Sequence, residues 1–245
     1  MIKFILLFGF CLAFNYSSYA KFEKSDQLHG VDVKSGKDVN GRIYEGTIKK
    51  ILPHPIEIVL NAITNFSEKC NNKFKNKRKY TPENIDCRFH NENLIETFVV
   101  KNIHNKNQSK NVIDNYLLGR LVYNRGTFGY YELITIREGL NKKKQKTITV
   151  SSKMLNDSEV KKFTSPKFNR ESAFDKTEWK FKLTQLSENE THLSYKYSSQ
   201  TNHWILNKEV SIPQVFESMS KSINFLIKSV EEGSMNQKQT SLSKK

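Results

Sequence analysis

The stretch Ser211-Ile212-Pro213-Gln214-Val215-Phe216-Glu217-Ser218-Met219-Ser220-Lys221-Ser222-Ile223-Asn224-Phe225-Leu226-Ile227-Lys228-Ser229-Val230-Glu231-Glu232-Gly233 decides the architecture. Ser211 and Gln214 have the S-x-x-Q spacing of a capping box, in which each side chain satisfies a backbone N–H at a helix start. Val215, Phe216, Met219, Ile223, Leu226, Ile227 and Val230 then recur at three- and four-residue intervals, which builds one apolar stripe. Gly233 suits a C-cap. The spacing predicts a helix of about 20 residues, some 30 Å long. Such a helix can cross the whole width of a sheet, and what precedes it reads as that sheet.

Immediately upstream, Trp179, Phe181 and Leu183 alternate with Lys180 and Lys182. Leu193, Tyr195 and Tyr197 alternate in the same way with Ser194 and Lys196, and Ser187–Asn189 makes the turn. One face is apolar and one polar, so the sheet is antiparallel and covered on a single side. Further strands are expected over Leu94–Ile103, Tyr116–Tyr123, Thr127–Arg137 and Lys146–Leu155. Asn124-Arg125-Gly126 supplies a hairpin turn. At the front, Arg42–Leu52 reads as a first strand. Pro53-His54-Pro55 then leads into a helix carrying Ile56, Val59, Leu60, Ile63 and Phe66 on one side. A short second helix or turn is expected around Tyr80–Glu83.

The ends read differently. Met1–Lys3 is cationic, Phe4–Phe14 is apolar, and Ser18-Tyr19-Ala20 places small residues before a cut after Ala20. That is the layout of a signal peptide, and eleven apolar residues are too few to span a bilayer. The expected organisation is a signal peptide over 1–20, a polar leader over 21–40, one domain over 41–233 and a flexible basic tail over 234–245. The protein is expected to be exported, to a periplasm or beyond. Export leaves Cys70 and Cys87 in the mature chain, and an even pair in an oxidising compartment predicts a disulfide.

Composition sets limits. The 245 residues hold 40 Lys+Arg against 25 Asp+Glu, a formal charge of +15. Hydrophobic residues make up 37% and aromatic residues 11%, enough for a sizeable core. Two loop clusters, Lys69–Lys79 and Lys142–Lys146, suit anionic lipid headgroups. Export and the absence of a recognition motif argue against nucleic acid as a partner.

The order of elements resembles the helix-grip superfamily, which includes START lipid-transfer domains, the birch-pollen allergens and the polyketide aromatase/cyclase-type proteins of bacteria. Two stretches carry the resemblance. Ile48-Lys49-Lys50-Ile51-Leu52-Pro53-His54-Pro55-Ile56-Glu57-Ile58-Val59 looks like that superfamily's first strand and helix. Tyr195 through Trp204-Ile205-Leu206-Asn207, leading into the Pro213 helix, looks like its last strand and closing helix. The resemblance implies an α+β fold: a curved antiparallel β-sheet wrapped around a long C-terminal α-helix, in an exported bacterial member. It also implies an internal cavity for a lipid or other apolar small molecule.

A strongly bent sheet gripping one helix leaves a gap that side chains must fill or a ligand must occupy. The inward residues expected there are Phe98, Val100, Tyr131, Trp179, Phe181, Tyr195, Tyr197, Phe216, Met219, Ile223 and Ile227. Tyr195 and Tyr197 stand out, because a buried phenol needs a hydrogen-bond partner and a ligand head group can be one. No G-x-S-x-G, H-E-x-x-H or C-x-x-C occurs, and the histidines show no metal spacing. No catalytic residue, metal or cofactor is therefore expected, with His203 the one acid–base candidate. The expected function is binding or transfer of a lipid by a monomer, assisted by contact with anionic membranes. A cyclase or hydrolase using the same cavity is one alternative; a filled core with a basic docking face is the other.

Overall fold

The computed structural model describes residues 21–64, 94–103, 111–123, 127–163 and 175–242. The signal-peptide residues 1–20, the pair Cys70 and Cys87, the Lys69–Lys79 cluster and the helix expected near Tyr80–Glu83 lie outside them. The strands are β1 (Lys21–Leu28), β2 (Val31–Asp38), β3 (Gly41–Leu52), β4 (Leu94–Asn102), β5 (Val112–Tyr123), β6 (Thr127–Leu140), β7 (Lys146–Leu155), β8 (Lys176–Ser187) and β9 (Glu190–Thr201). The helices are α1 (Ile56–Thr64), the single turn α2 (Asp157–Val160) and α3 (Ile212–Leu242). The nine described strands form one antiparallel sheet in the order β1-β2-β3-β9-β8-β7-β6-β5-β4. With α3 closing the inner face, this is the helix-grip architecture.

Two boundaries differ from expectation. Residues 21–40 are not a leader: β1 and β2 pair with each other and extend the sheet beyond β3. Val31 and Val33 are fully buried, because the alternation Val31-x-Val33-x-Ser35 puts its short apolar side on the core face. The connection is a two-residue turn at His29 (φ 52°) and Gly30 (φ 77°), the left-handed pair that suits the twist of a hairpin. Residues 234–242 are likewise not a loose tail, since α3 runs 31 residues to Leu242. Gly233 and Ser234 are buried inside it. Glycine costs a helix only about 1 kcal/mol, less than tight packing returns.

Serine is common along α3, and three of its hydroxyls are turned back on the helix. Ser220 donates to the Glu217 carbonyl at 3.0 Å, Ser229 to Phe225 at 3.0 Å and Ser234 to Val230 at 2.7 Å. That satisfies each hydroxyl where it is buried. The Ser211 hydroxyl donates to the Ile205 carbonyl at 2.8 Å, tying the helix start to the connection before it. The same connection is fastened to β3: Arg42 Nε donates to Asn207 O at 3.1 Å and the Tyr44 hydroxyl to Leu206 O at 2.6 Å. α3 then lies against β1, β2, β3 and α1. It packs tightly over Gly46, where an added Cβ would stand 2.4 Å from Ile223 Cδ1.

One continuous core joins both halves of the sheet to the helices. It contains Val31, Tyr44, Ile48, Leu118, Ile134, Ile136, Val150, Phe181 and Leu193 from the strands, with Ile56, Val59 and Ile63 from α1. A second, smaller cluster of Leu117, Tyr131, Leu155 and Val160 forms on the outer face beneath α2. α2 begins at Asn156, whose side chain accepts from Glu159 N at 3.0 Å while Glu159 accepts from Asn156 N at 3.0 Å. This capping box is legible as N-x-x-E.

Candidate functional site

The inner face is defined by strand parity. Register places Val33, Gly46, Tyr197, Trp179, Ser152 and Ile134 in one row across β2, β3, β9, β8, β7 and β6. The neighbouring row carries Ile48, Tyr195, Phe181, Val150 and Ile136. Trp179 meets Phe181 edge-on at 5.7 Å, and Phe181 meets Tyr195 at 4.5 Å. Across the helix contact, Tyr44 meets Phe216 edge-on at 6.4 Å.

Eight of the expected inward residues come together here: Trp179, Phe181, Tyr195, Tyr197, Phe216, Met219, Ile223 and Ile227. They divide into two kinds. Phe181, Tyr195 and the four α3 residues are closed into the core, none more than 7% exposed. Trp179 and Tyr197 are only half-buried, and they face each other across adjacent strands. Tyr116, Leu60, Val215 and Leu226 also keep part of their surface at the edge of the same cluster. The middle of the inner face therefore retains accessible aromatic surface.

Two expected inward residues are on the other side. Tyr131 and Val100 pack in the outer cluster with Leu117 and Leu155. The inner face of β6 is Glu132, Ile134 and Ile136, so Tyr131 is one residue out of phase. Val100 falls in the register shift between Val99 and Lys101. Phe98 lies on β4 opposite Gly119. His203 is exposed on the β9–α3 connection, stacked on Trp204 with centroids 6.2 Å apart, away from the inner face.

Polar groups on the inner face were missed by a reading tuned to apolar positions. Glu132 is 3% exposed and Ser152 is 5% exposed. Among the described residues the Ser152 hydroxyl has no hydrogen-bond partner. Burial pushes the Tyr197 phenol up to about 12; a hydrogen bond with Ser199 opposes that rise and the Glu132 carboxylate adds to it. Tyr116 is likewise pushed up to about 12 by burial and by donating to Asp114. Parity was the available signal, because Ser152 continues Ile148-x-Val150 and Glu132 precedes Ile134-x-Ile136. Among the described residues, no three His, Cys, Asp or Glu are grouped to hold a metal, and no helix is long and apolar enough to cross a membrane.

The raised phenols give a titration prediction. Below pH 10 a tyrosine keeps its proton whether the chain is folded or unfolded. Between about 10 and 12 the unfolded chain ionises while folded Tyr116 and Tyr197 do not, so stability falls as pH rises through that window. Of ten tyrosines, part of the phenolate absorbance should be missing at pH 11 and appear only on unfolding. Complete ionisation of native protein at pH 11 would contradict the burial of these phenols.

No protein-family profile matches the chain, and no curated protein is similar to it in sequence. Solved structures are similar in fold. Human StAR-related lipid transfer protein 5 is 10% identical, over 91% of this chain and 89% of its own, with a TM-score of 0.48. A STAR-related lipid transfer protein fragment from Xanthomonas axonopodis is 8% identical, over 87% and 98%, with a TM-score of 0.46. The Zhui aromatase/cyclase from Streptomyces sp. R1128 is 7% identical, over 82% and 96%, with a TM-score of 0.39. At these values the assignment rests on strand order, register and the position of α3. On those grounds the chain has the helix-grip fold, a curved antiparallel sheet closed by a long helix.

Proposed function

We propose that the protein binds a lipid or other apolar small molecule against the inner face of the sheet, and that it does so as an exported protein. One observation carries the reading: Trp179 and Tyr197 keep accessible surface at the centre of an otherwise closed core, beside a Ser152 hydroxyl with no partner among the described residues. Apolar walls with a few convergent polar groups are the ordinary make-up of a small-molecule site. A ligand whose apolar body covers the rings and whose head bonds Ser152 would satisfy both. Cleavage after Ala20 would leave Lys21 at the start of β1, in keeping with export.

Membrane contact is proposed for the segment between β9 and α3. Trp204, Ile205 and Val210 are 68%, 43% and 80% exposed, and the Lys208 ammonium stands 5.2 Å over the Trp204 ring. Aromatic and aliphatic side chains beside a cation suit the headgroup boundary of an anionic bilayer. Of the basic 142–146 cluster, Lys142, Lys143 and Lys144 are exposed, whereas Lys146 is paired with Glu57 and Glu138.

The test is native mass spectrometry of protein from its exporting host, followed by fatty-acid titration of a Trp204→Phe variant, which leaves Trp179 as the only tryptophan. A co-purifying lipid mass, or a ligand-dependent change in Trp179 emission, is expected. Clean apoprotein with no uptake and unchanged Trp179 emission would end this reading in favour of a filled core. Loss of anionic-vesicle binding in Trp204→Ala is expected for the membrane contact, and unchanged binding would remove it.

A further inference from the structure

We infer that the outer face of the sheet is a docking surface for a linear, flexible polyanion: a sulfated or phosphorylated polysaccharide chain. Register lays a row across five strands in which cation and hydroxyl alternate: Lys49 on β3, Ser194 on β9, Lys182 on β8, Thr149 on β7 and Arg137 on β6. The next row adds Lys196 directly opposite Lys180, flanked by Thr47 and Ser151. All five cations are exposed, and the hydroxyl residues between them are half-buried, fixed in the pleat.

Neighbouring strands lie about 4.8 Å apart, so the first row runs for about 19 Å with a cation roughly every 10 Å. Lys180 and Lys182 stand about 7 Å apart along their strand. Like charges directly opposite in a sheet repel each other and lower stability, and of these five cations only Lys196 has a carboxylate partner among the described residues. Lys196 is paired with Glu45 at 2.6 Å. Among the described residues, Lys49, Lys180, Lys182 and Arg137 have no ion-pair partner; Asp32 on β2 ends the Lys196 row opposite Thr47, and the carboxylates Glu45 and Glu178 lie one row further on.

The shape and chemistry select the partner. The face is the outer side of a curved sheet, so a planar bilayer would touch only its crest, whereas a flexible chain follows the curvature. Across β3, β9, β8, β7 and β6 neither row carries an apolar or aromatic side chain, so the rows themselves offer no side chain to insert into a membrane and no platform on which bases could stack. Lysines with hydroxyl donors between them suit tetrahedral oxyanions spaced along a polar chain. The surface lies on the opposite side of the sheet from Trp179 and Tyr197, so it is separate from the proposed ligand site.

The test compares two full-length variants that lose the same charge. Lys49→Gln/Lys182→Gln/Arg137→Gln removes the row, and Lys142→Gln/Lys143→Gln/Lys144→Gln removes the exposed turn between β6 and β7. Dextran sulfate is the probe, with neutral dextran, oligothymidylate and anionic vesicles as alternatives, over a salt series. The row variant should lose dextran-sulfate affinity by about ten-fold or more and flatten the log–log salt dependence by about two to three. The turn variant should stay within about two-fold of the parent, and both should keep the parental circular dichroism and fatty-acid uptake. Equal losses in the two variants would overturn the assignment, since only net charge would then matter. So would a larger loss in the row variant for oligothymidylate or vesicles than for dextran sulfate, or no binding to any polyanion.

Discussion

Gly41→Ala is expected to cost the fold about 3–5 kcal/mol, combining backbone strain with a steric clash that no side chain can relieve. Gly41 opens β3 at φ 121°, a conformation L-residues rarely adopt. A Cβ there would stand 2.4 Å from the Thr201 carbonyl oxygen, 3.0 Å from its carbon and 3.3 Å from Asn202 Cα. All three are backbone atoms where β9 ends and the connection to α3 begins, so relief requires shifting a paired strand. Two other glycines calibrate the claim. At Gly30, φ is 77° but nothing lies within 4 Å, so alanine should cost only about 1 kcal/mol of strain. At Gly46 the obstacle is the tip of Ile223, which can rotate, so the cost should fall between the two. Urea unfolding of the three alanine variants checks the order, and a Gly41 variant as stable as the Gly30 one would refute it.

Phe181→Ala should cost about 3–5 kcal/mol, the usual range for emptying an aromatic site in a closed core. Phe181 is 1% exposed and joins the Trp179 and Tyr195 rings, so its loss removes contacts on both sides. Trp179→Ala should cost less, because Trp179 already keeps accessible surface. If the inner face binds an apolar ligand, the order reverses for binding: Trp179→Ala should lower fatty-acid affinity more than its stability loss accounts for. Denaturant midpoints beside ligand titrations at a temperature where both variants are folded separate the two effects. Equal stability losses would mean that Trp179 is core like Phe181.

The sequence made the central architecture readable wherever hydrophobic period was strong and continuous. The stripe Val215 to Val230 led to α3, and the alternations at Trp179–Leu183 and Leu193–Tyr197 led to β8 and β9 with the correct inner face. It failed where local preference and tertiary context parted. β1 and β2 escaped notice because their inner side is short and their turn is His-Gly rather than Asn-Gly. Gly233 suggested an end to a helix that packing carries on through Leu242. Tyr131 was misplaced because Tyr130-Tyr131-Glu132 has no alternation of its own; the phase comes from Ile134 and Ile136 further along. The polar side of the inner face was illegible for a related reason. A buried Glu132 contradicts its own residue preference, and only the surrounding strands determine which way it faces.

The strand order has a consequence for how the chain becomes a fold. β4 to β9 are neighbours in sequence as well as in space, and so are β1 to β3; among the described strands only the β3–β9 seam pairs residues far apart along the chain. Hairpins between consecutive strands close quickly, while the seam must wait for the search that brings residues such as Arg42 and Thr201 together. The meander of β1 to β3 waits longer still, since α3, which lies against all three of its strands, is synthesised after every described strand. Until then Val31, Val33 and Tyr44 lack their helical cover, and a ribosome-bound chain exposes an apolar surface that cannot yet close. The slow step in folding is thus written into topology, and it places the demand for chaperone protection on the first strands rather than the last.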